Sequence, residues 1–239
     1  MLRTMLPNPR LIPMGDRALV IEFGDRFDPE LSARIAAAAQ HLRASPPPGV
    51  LDIVPAYTTL ALHYDPAIIS AGDTPYEALI EQIEAWLHAQ ADVELPPGRL
   101  VEIPVCYGGG LGEDLEEVAR QHGLTPEEVA TIHASTDYRV YLLGFVPGFA
   151  YLGNLDSRIA TPRRDTPRPH VPAGSVAIGG DQTGVYPLET PGGWHLVGRT
   201  PVKMFTPEAE PPCLLRAGDT VRFVPISRAE FDALSGTRA

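Results

Sequence analysis

Lysine is almost absent from this chain: Lys203 is the only one, so arginine carries nearly all of the positive charge. Acidic residues outnumber basic ones by 30 to 19, giving a net charge of −11. Such a balance argues against a phosphate-neutralising surface, and no nucleic-acid partner is expected. Cysteine is equally sparse. Cys106 and Cys213 lie far apart without C-x-x-C or mixed Cys/His spacing, so they read as structural thiols of a reducing cytosol rather than metal ligands. No run reaches the roughly 18 apolar residues of a membrane span. The opening MLRTMLPNPR lacks an apolar stretch followed by a small-residue cleavage site. A cytoplasmic location with no membrane partner is the expectation.

Signatures of self-contained catalysis are missing too. The sequence has no G-x-x-x-x-G-K-[ST] loop, no G-x-G-x-x-G and no G-x-S-x-G elbow. A self-contained hydrolase needs an activated nucleophile or a metal-bound water, and spacing alone assembles neither. His133, His170 and His195 are scattered and read as hydrogen-bonded polar residues. No catalytic residue and no metal ligand is assigned. Internal repeats at solenoid periods are also lacking.

What is present is an ordinary globular composition, 44% hydrophobic and 21% charged over 239 residues, suited to one large or two small domains. Residues 11–14 and 18–23 read as strands around Gly15-Asp16, which suits a type II′ turn. Asp28-Pro29 then caps a helix that stops at the prolines 46–48. Two β-branched runs follow, 50–54 and 58–64, broken by Pro55. Thr74-Pro75-Tyr76-Glu77 is a capping box for a second helix, with Leu79, Ile80, Ile83, Trp86 and Leu87 on one face. The expected first domain, residues 1–95, is therefore an α+β unit of order ββαββα, with helices on one face of an antiparallel sheet. The stretch 94–98, ELPPG, marks the boundary. The second domain, 96–239, opens with a strand at 100–106, a flexible Gly108-Gly109-Gly110 turn and helices at 113–121 and 125–134. From 138 it reads as short strands and turns, ending in a strand at 220–224. Many short strands with Gly/Pro turns imply a closed, mainly-β barrel.

The most unusual stretch is 144–200, which holds ten glycines, seven prolines and five arginines in 57 residues. That density breaks helices, while the interleaved Phe145, Phe149, Tyr151, Tyr186 and Trp194 would be wasted in a linker. Short strands joined by stiff loops carrying arginines and aromatics describe a binding surface. Arg163, Arg164 and Arg168 share one Pro-punctuated loop, and a planar guanidinium suits carboxylate or phosphate oxygens. Arg163 and Arg168 are the candidate anion ligands, the alternative being surface pairing with Asp156, Asp165 or Asp181. Gln182, Thr183 and Tyr186 flank Gly184 in what reads as a turn, where they either orient an amide oxygen or merely shape the loop. Arg199 either binds substrate or ties barrel carbonyls together. Phe145, Phe149, Tyr151 and Trp194 are candidates for a pocket wall or partner surface, against packing as the plainer alternative.

Six motifs occur in fixed order: GF-x-PGF-x-YLG, TPR-x-DTPR, VP-x-GSV, QTG-x-YP, TPGGW and GRTP. Together they resemble the family of 5-oxoprolinase B subunits and the kinase inhibitor KipI, also labelled allophanate hydrolase subunit 1, which is similar to one half of the carboxyltransferase region of urea carboxylases. The resemblance implies a cyclophilin-like barrel. It also implies the B component of an ATP-dependent 5-oxoprolinase that opens 5-oxo-L-proline to glutamate with a C-type barrel subunit and an A subunit. ATP would then sit at a site shared with, or carried by, a partner. On this reading Arg163 and Arg168 hold a carboxylate or phosphate, and Gln182, Thr183 and Tyr186 orient the amide. The Ser-Ser-Lys arrangement of an allophanate-cleaving amidase is missing. The family also implies two alternatives, inhibition of a sensor histidine kinase and a part in a urea- or amide-carboxylating complex.

Overall fold

The computed structural model describes residues 9–26, 28–69, 74–89 and 98–236. Two compact units divide the chain, Met1–Pro97 and Gly98–Ala239. The boundary prolines Pro96 and Pro97, and most of the opening decapeptide, lie outside the described residues. Among those described, no helix is long and apolar enough to cross a membrane.

In the first unit, β1 (Arg10–Pro13), β2 (Ala18–Glu22), α1 (Pro29–Ala44), β3 (Val50–Pro55), β4 (Thr59–Tyr64) and α2 (Pro75–Ala89) follow in that order. The strands form one antiparallel sheet, β1-β2-β4-β3. Helix α1 begins where the Asp28 carboxylate accepts from Glu30 N–H at 2.9 Å, with Pro29 placed where its missing N–H costs nothing. Helix α2 begins where Thr74 Oγ1 accepts from Glu77 N–H at 3.3 Å. Leu79 and Ile83 are buried with Leu19, Ile21, Leu60 and Leu62, while Ile80, Trp86 and Leu87 pack against the same core. The first hairpin departs from the expected two-residue turn. Met14 N–H donates to Ala18 O at 2.8 Å, leaving a three-residue loop, 15–17, with Gly15 at φ +66°. The Arg17 carbonyl is committed to Tyr64 N–H at 2.9 Å on the neighbouring strand, which keeps the turn from tightening.

The second unit runs β5 (Leu100–Tyr107), α3 (Leu115–His122), α4 (Pro126–Ala134), β6 (Asp137–Leu143), β7 (Ala150–Gly153), β8 (Arg168–Val171), β9 (Ser175–Gly179), β10 (Gln182–Val185), β11 (Thr190–Gly192), β12 (His195–Arg199), β13 (Thr220–Pro225) and α5 (Arg228–Gly236). Seven strands close a barrel in the order β10-β7-β6-β13-β5-β12-β9, and β8 and β11 pair as a separate ribbon. Every barrel pair is antiparallel except β5 with β13. The Gly108–Gly110 segment is less loose than its composition suggests, since Gly109–Leu111 forms a short 3-10 turn. Helix α4 carries the expected reciprocal capping box between Thr125 and Glu128. Helix α5 was not expected. Ser227 and Glu230 cap it reciprocally, an S-x-x-E signal that lies just beyond the last strand read from the sequence.

The barrel interior is packed with Val105, Val140, Leu152, Val176, Ile178, Val197 and Phe223. Into it α4 sets one polar ring, His133, which is fully buried and stacks on Phe223 with centroids 4.7 Å apart. Thr183 donates its hydroxyl to Ala177 O at 2.9 Å, so it accepts from His133 Nε2–H at 2.8 Å. Nδ1 is then the acceptor for the Tyr107 hydroxyl at 2.7 Å. The chain of bonds fixes a neutral imidazole, and burial holds its pKa down at about 3. Unfolding frees the ring to take a proton below its ordinary value of 6.5, which the folded state refuses down to about 3. Stability should therefore fall as pH is lowered through that window. His133→Phe should remove this part of the slope and cost roughly 1–3 kcal/mol by leaving the Tyr107 hydroxyl without its acceptor. Urea melts of the full chain at stepped pH check both, and an unchanged slope in the variant would show that His133 titrates like a free histidine.

Candidate functional site

Outside the barrel wall, Phe149, Val171, Ala177, Tyr186, Trp194 and Leu196 bury one another in a second apolar cluster. Phe149 is its hub. It meets Phe145, Tyr151, Tyr186 and Trp194 edge to face, with centroids 5.6, 4.9, 5.3 and 5.6 Å away. Glycine makes the arrangement possible: a Cβ on Gly179 would stand 2.6 Å from the Trp194 indole, and one on Gly184 would stand 3.1 Å from Phe149. A cleft of about 300 Å³ opens over these rings, with Arg163, Arg164 and Pro167 on its opposite wall. At the rim Phe145 is 60% exposed and sits at φ +68°, in a turn closed by Val146 N–H on Gly144 O at 2.8 Å. That three-residue turn with positive φ is strained for a bulky residue, by roughly 1–3 kcal/mol.

The arginine wall is held by Asp114, which is 4% exposed. Its carboxylate accepts from Arg164 Nη1 at 3.0 Å, from Arg168 Nη1 and Nη2 at 2.8 and 2.7 Å, and from Leu196 N–H at 2.7 Å. Asp114 N–H in turn donates to Leu196 O at 2.9 Å. Burial pushes the Asp114 pKa up, but the hydrogen bonds from Arg168 and Leu196 and the charges of Arg168 and Arg164 outweigh it, leaving the group below its ordinary value. This commitment also explains why α3 begins at Leu115 rather than 113: Asp114 stands at the N-cap but makes no capping bond. Arg164 N–H adds a bond to Gly193 O at 2.8 Å, stitching the arginine loop to the segment that ends in Trp194.

The structure brings together only part of the set read from the sequence. Phe145, Phe149, Tyr151 and Trp194 all line the cleft, as do Arg163 and Tyr186. The Arg163 guanidinium lies 5.8 Å from the Trp194 ring centroid, and among the described residues no carboxylate pairs with it. Tyr186 is buried, which raises its pKa against the opposing pull of the Trp194 backbone amide. Arg168 is not a free anion ligand, because both its terminal nitrogens serve Asp114, and Arg164 is tied there too. Thr183 is corrected as well: it points into the barrel and both its hydrogen-bonding roles are spent on His133 and Ala177. The turn lies at Gly180-Asp181, so Gln182 and Thr183 belong to strand β10 and face opposite sides. Gln182 and Arg199 do not line the cleft. His195 Nε2 donates to Pro162 O at 2.9 Å, and His170 meets Glu189 at 3.2 Å on the surface. Asp114 itself escaped the sequence reading, since G-E-D-L-E-E reads as the acidic first turn of a helix.

In chemical terms the cleft offers π faces and one uncommitted guanidinium, a setting for a small, flat anion. None of its described lining residues is a carboxylate, histidine, serine or cysteine. Among the described residues no cluster of three or more His, Cys, Asp or Glu side chains could hold a metal.

Residues 9–215 match the family model of the carboxyltransferase domain, subdomain C and D, which sets the class. The chain is 47% identical over 228 residues to the B subunit of 5-oxoprolinase from Bacillus subtilis (strain 168), covering 92% of this chain and 94% of that protein. It is 43% identical to the protein of the same name from Escherichia coli O157:H7, covering 89% and 94%. The chain belongs to the family of 5-oxoprolinase B subunits. Of solved structures, TTHA0988 superposes with a TM-score of 0.76 at 43% identity over 88% of this chain, which spans only 40% of that longer protein. The Kluyveromyces lactis urea amidolyase, at 20% identity and a TM-score of 0.71, shares the fold over 95% of this chain and 15% of its own.

Replacing Asp114 with alanine would leave Arg164 and Arg168 with only the exposed Glu113, 3.6 Å from Arg168, as a counter-charge. The expected loss is about 3–5 kcal/mol of stability in the second unit, together with a shift in Trp194 fluorescence as the wall loosens. Urea melts of the full-length variant followed at Trp194, in a Trp86→Phe background, check this; a change below about 1 kcal/mol would show that the clamp is dispensable.

Proposed function

We propose that this chain is the B component of a cytoplasmic, ATP-dependent 5-oxoprolinase, and that its aromatic cleft holds 5-oxo-L-proline while partners supply the rest of the site. The observation that carries the reading is an uncommitted Arg163 over the Trp194 ring in a cleft whose described lining holds no carboxylate, histidine, serine or cysteine. Near full-length identity to proteins named as the B component of 5-oxoprolinase supports it. The barrel is taken to be of the cyclophilin-like type. Arg163 receives the substrate carboxylate, and the five-membered ring lies against the aromatic walls.

An unstrained lactam resists water. Transfer of the terminal phosphoryl of ATP to the lactam oxygen activates the ring carbon; one water adds there, the ring C–N bond breaks as the nitrogen takes up a proton to leave an open-chain acyl phosphate, and a second water displaces phosphate to give glutamate. A cleft that binds and orients but holds no general base suits a subunit that depends on others. The C-type barrel subunit and the A subunit are the proposed partners, with ATP bound on them or at a junction with them.

Glutamate release from 5-oxoproline and ATP tests this, first with this chain alone and then with the A and C subunits added. Activity only in the full mixture is expected. In that mixture Arg163→Ala should raise KM for 5-oxoproline by roughly 10- to 100-fold, the loss of one charge-assisted hydrogen bond, with a smaller effect on kcat. Activity from the isolated chain, or none from any mixture of folded subunits, would sink the proposal, and the second result would favour kinase inhibition or carboxylation.

A further inference from the structure

One arginine of the second unit differs from the others in its surroundings. Arg199, the last residue of β12, is half-buried, and its Nε is buried without a hydrogen-bond partner. Among the described residues no carboxylate pairs with it. The charge of Glu113 acts on it, but Glu113 lies against Arg168 at 3.6 Å and is itself largely exposed. Where Arg99, Arg120, Arg158, Arg168 and Arg222 are each raised by a bonded carboxylate, burial pushes Arg199 down. A cation kept partly out of water with no bonded counter-charge is costly.

Strand register says which way it faces. Arg199 pairs with Ser175 on β9 and with Cys106 on β5. Along β9, Val176 and Ile178 fill the barrel, whereas Ala177 belongs to the outer cluster with Trp194 and Tyr186. Alternation therefore puts Ser175, and Arg199 beside it, on the same outer face as the cleft. The backbone joins the two places directly. Tyr186 N–H donates to Ser175 O at 2.9 Å, Gly174 N–H to Tyr186 O at 2.7 Å, and Thr200 N–H to Gly174 O at 2.9 Å. Gly174, at φ +81°, carries no side chain over the stem of Arg199; a Cβ there would stand 3.4 Å from Arg199 Cγ.

We propose that Arg199 is a second anion site on the cleft face, separate from Arg163, and that it takes a phosphoryl group. The choice of phosphoryl rests on the lactam-opening reading, in which a phosphate must be held and released close to the substrate. Its source is either the terminal phosphate of a nucleotide or the phosphoryl carried by the activated substrate.

The test is titration of the full chain with inorganic phosphate, read by ³¹P line broadening and by thermal shift. Wild type should bind and be stabilised. Arg199→Gln should weaken binding by roughly tenfold or more, Arg199→Lys by less, and Arg163→Ala should leave it unchanged. The lysine variant keeps the stem and the charge, so it reports even if the glutamine variant misfolds. ATP that displaces bound phosphate would identify a nucleotide as the source; ATP that does not would leave the activated substrate. No phosphate binding by wild type at millimolar concentration, or equal binding by a folded Arg199→Gln, would overturn the proposal. Failure of glutamate release in the subunit mixture leaves this result untouched, so the two readings fail separately.

Discussion

Asp114 accepts four hydrogen bonds from two arginines and a strand amide, and the cleft keeps its shape because those three parts of the chain cannot separate. Arg164 and Arg168 would repel each other strongly at the partly buried neck of their loop, where water screens charge poorly. The carboxylate between them offsets that repulsion and anchors Leu196, two residues beyond the indole that forms the far wall. Arg163, one residue before the clamped Arg164, carries no such tie and lies over the Trp194 ring.

The two faces of the barrel wall solve opposite problems. Inside, His133, Thr183 and Tyr107 are a polar insertion that is tolerable only because each hydrogen-bonding group is matched. Outside, the aromatic cluster leaves its rim ring, Phe145, in water and on a strained backbone. A protein that fills its core so completely and leaves one aromatic rim bare has placed its adaptability on that rim.

Much of the architecture was legible in the chain. The caps at Asp28, Thr74 and Thr125 and the Gly/Pro punctuation after 138 located most elements, because these signals are local. The aromatic wall was legible for a related reason: five rings among glycines and prolines have few other uses. The roles of the arginines were not. Arg163, Arg164 and Arg168 look alike in sequence, and what separates them is a carboxylate some 50 residues upstream that reads as an ordinary helix start. Thr183 failed for a smaller reason: the turn is expected around Gly184 but lies at Gly180-Asp181, so a residue of strand β10 that faces the barrel reads as part of a loop.

The parallel pairing of β5 with β13 has a mechanical consequence. These strands are the first and last of the barrel, joined along six register pairs from Thr220 with Leu100 to Pro225 with Val105. Because they run in the same direction, the chain enters the barrel at one end of the pair and leaves it at the other. Tension applied through the two ends acts along the strands and loads their hydrogen bonds in shear, all at once, instead of peeling them one by one. A barrel closed in this way resists stretching far better than one whose terminal strands lie antiparallel.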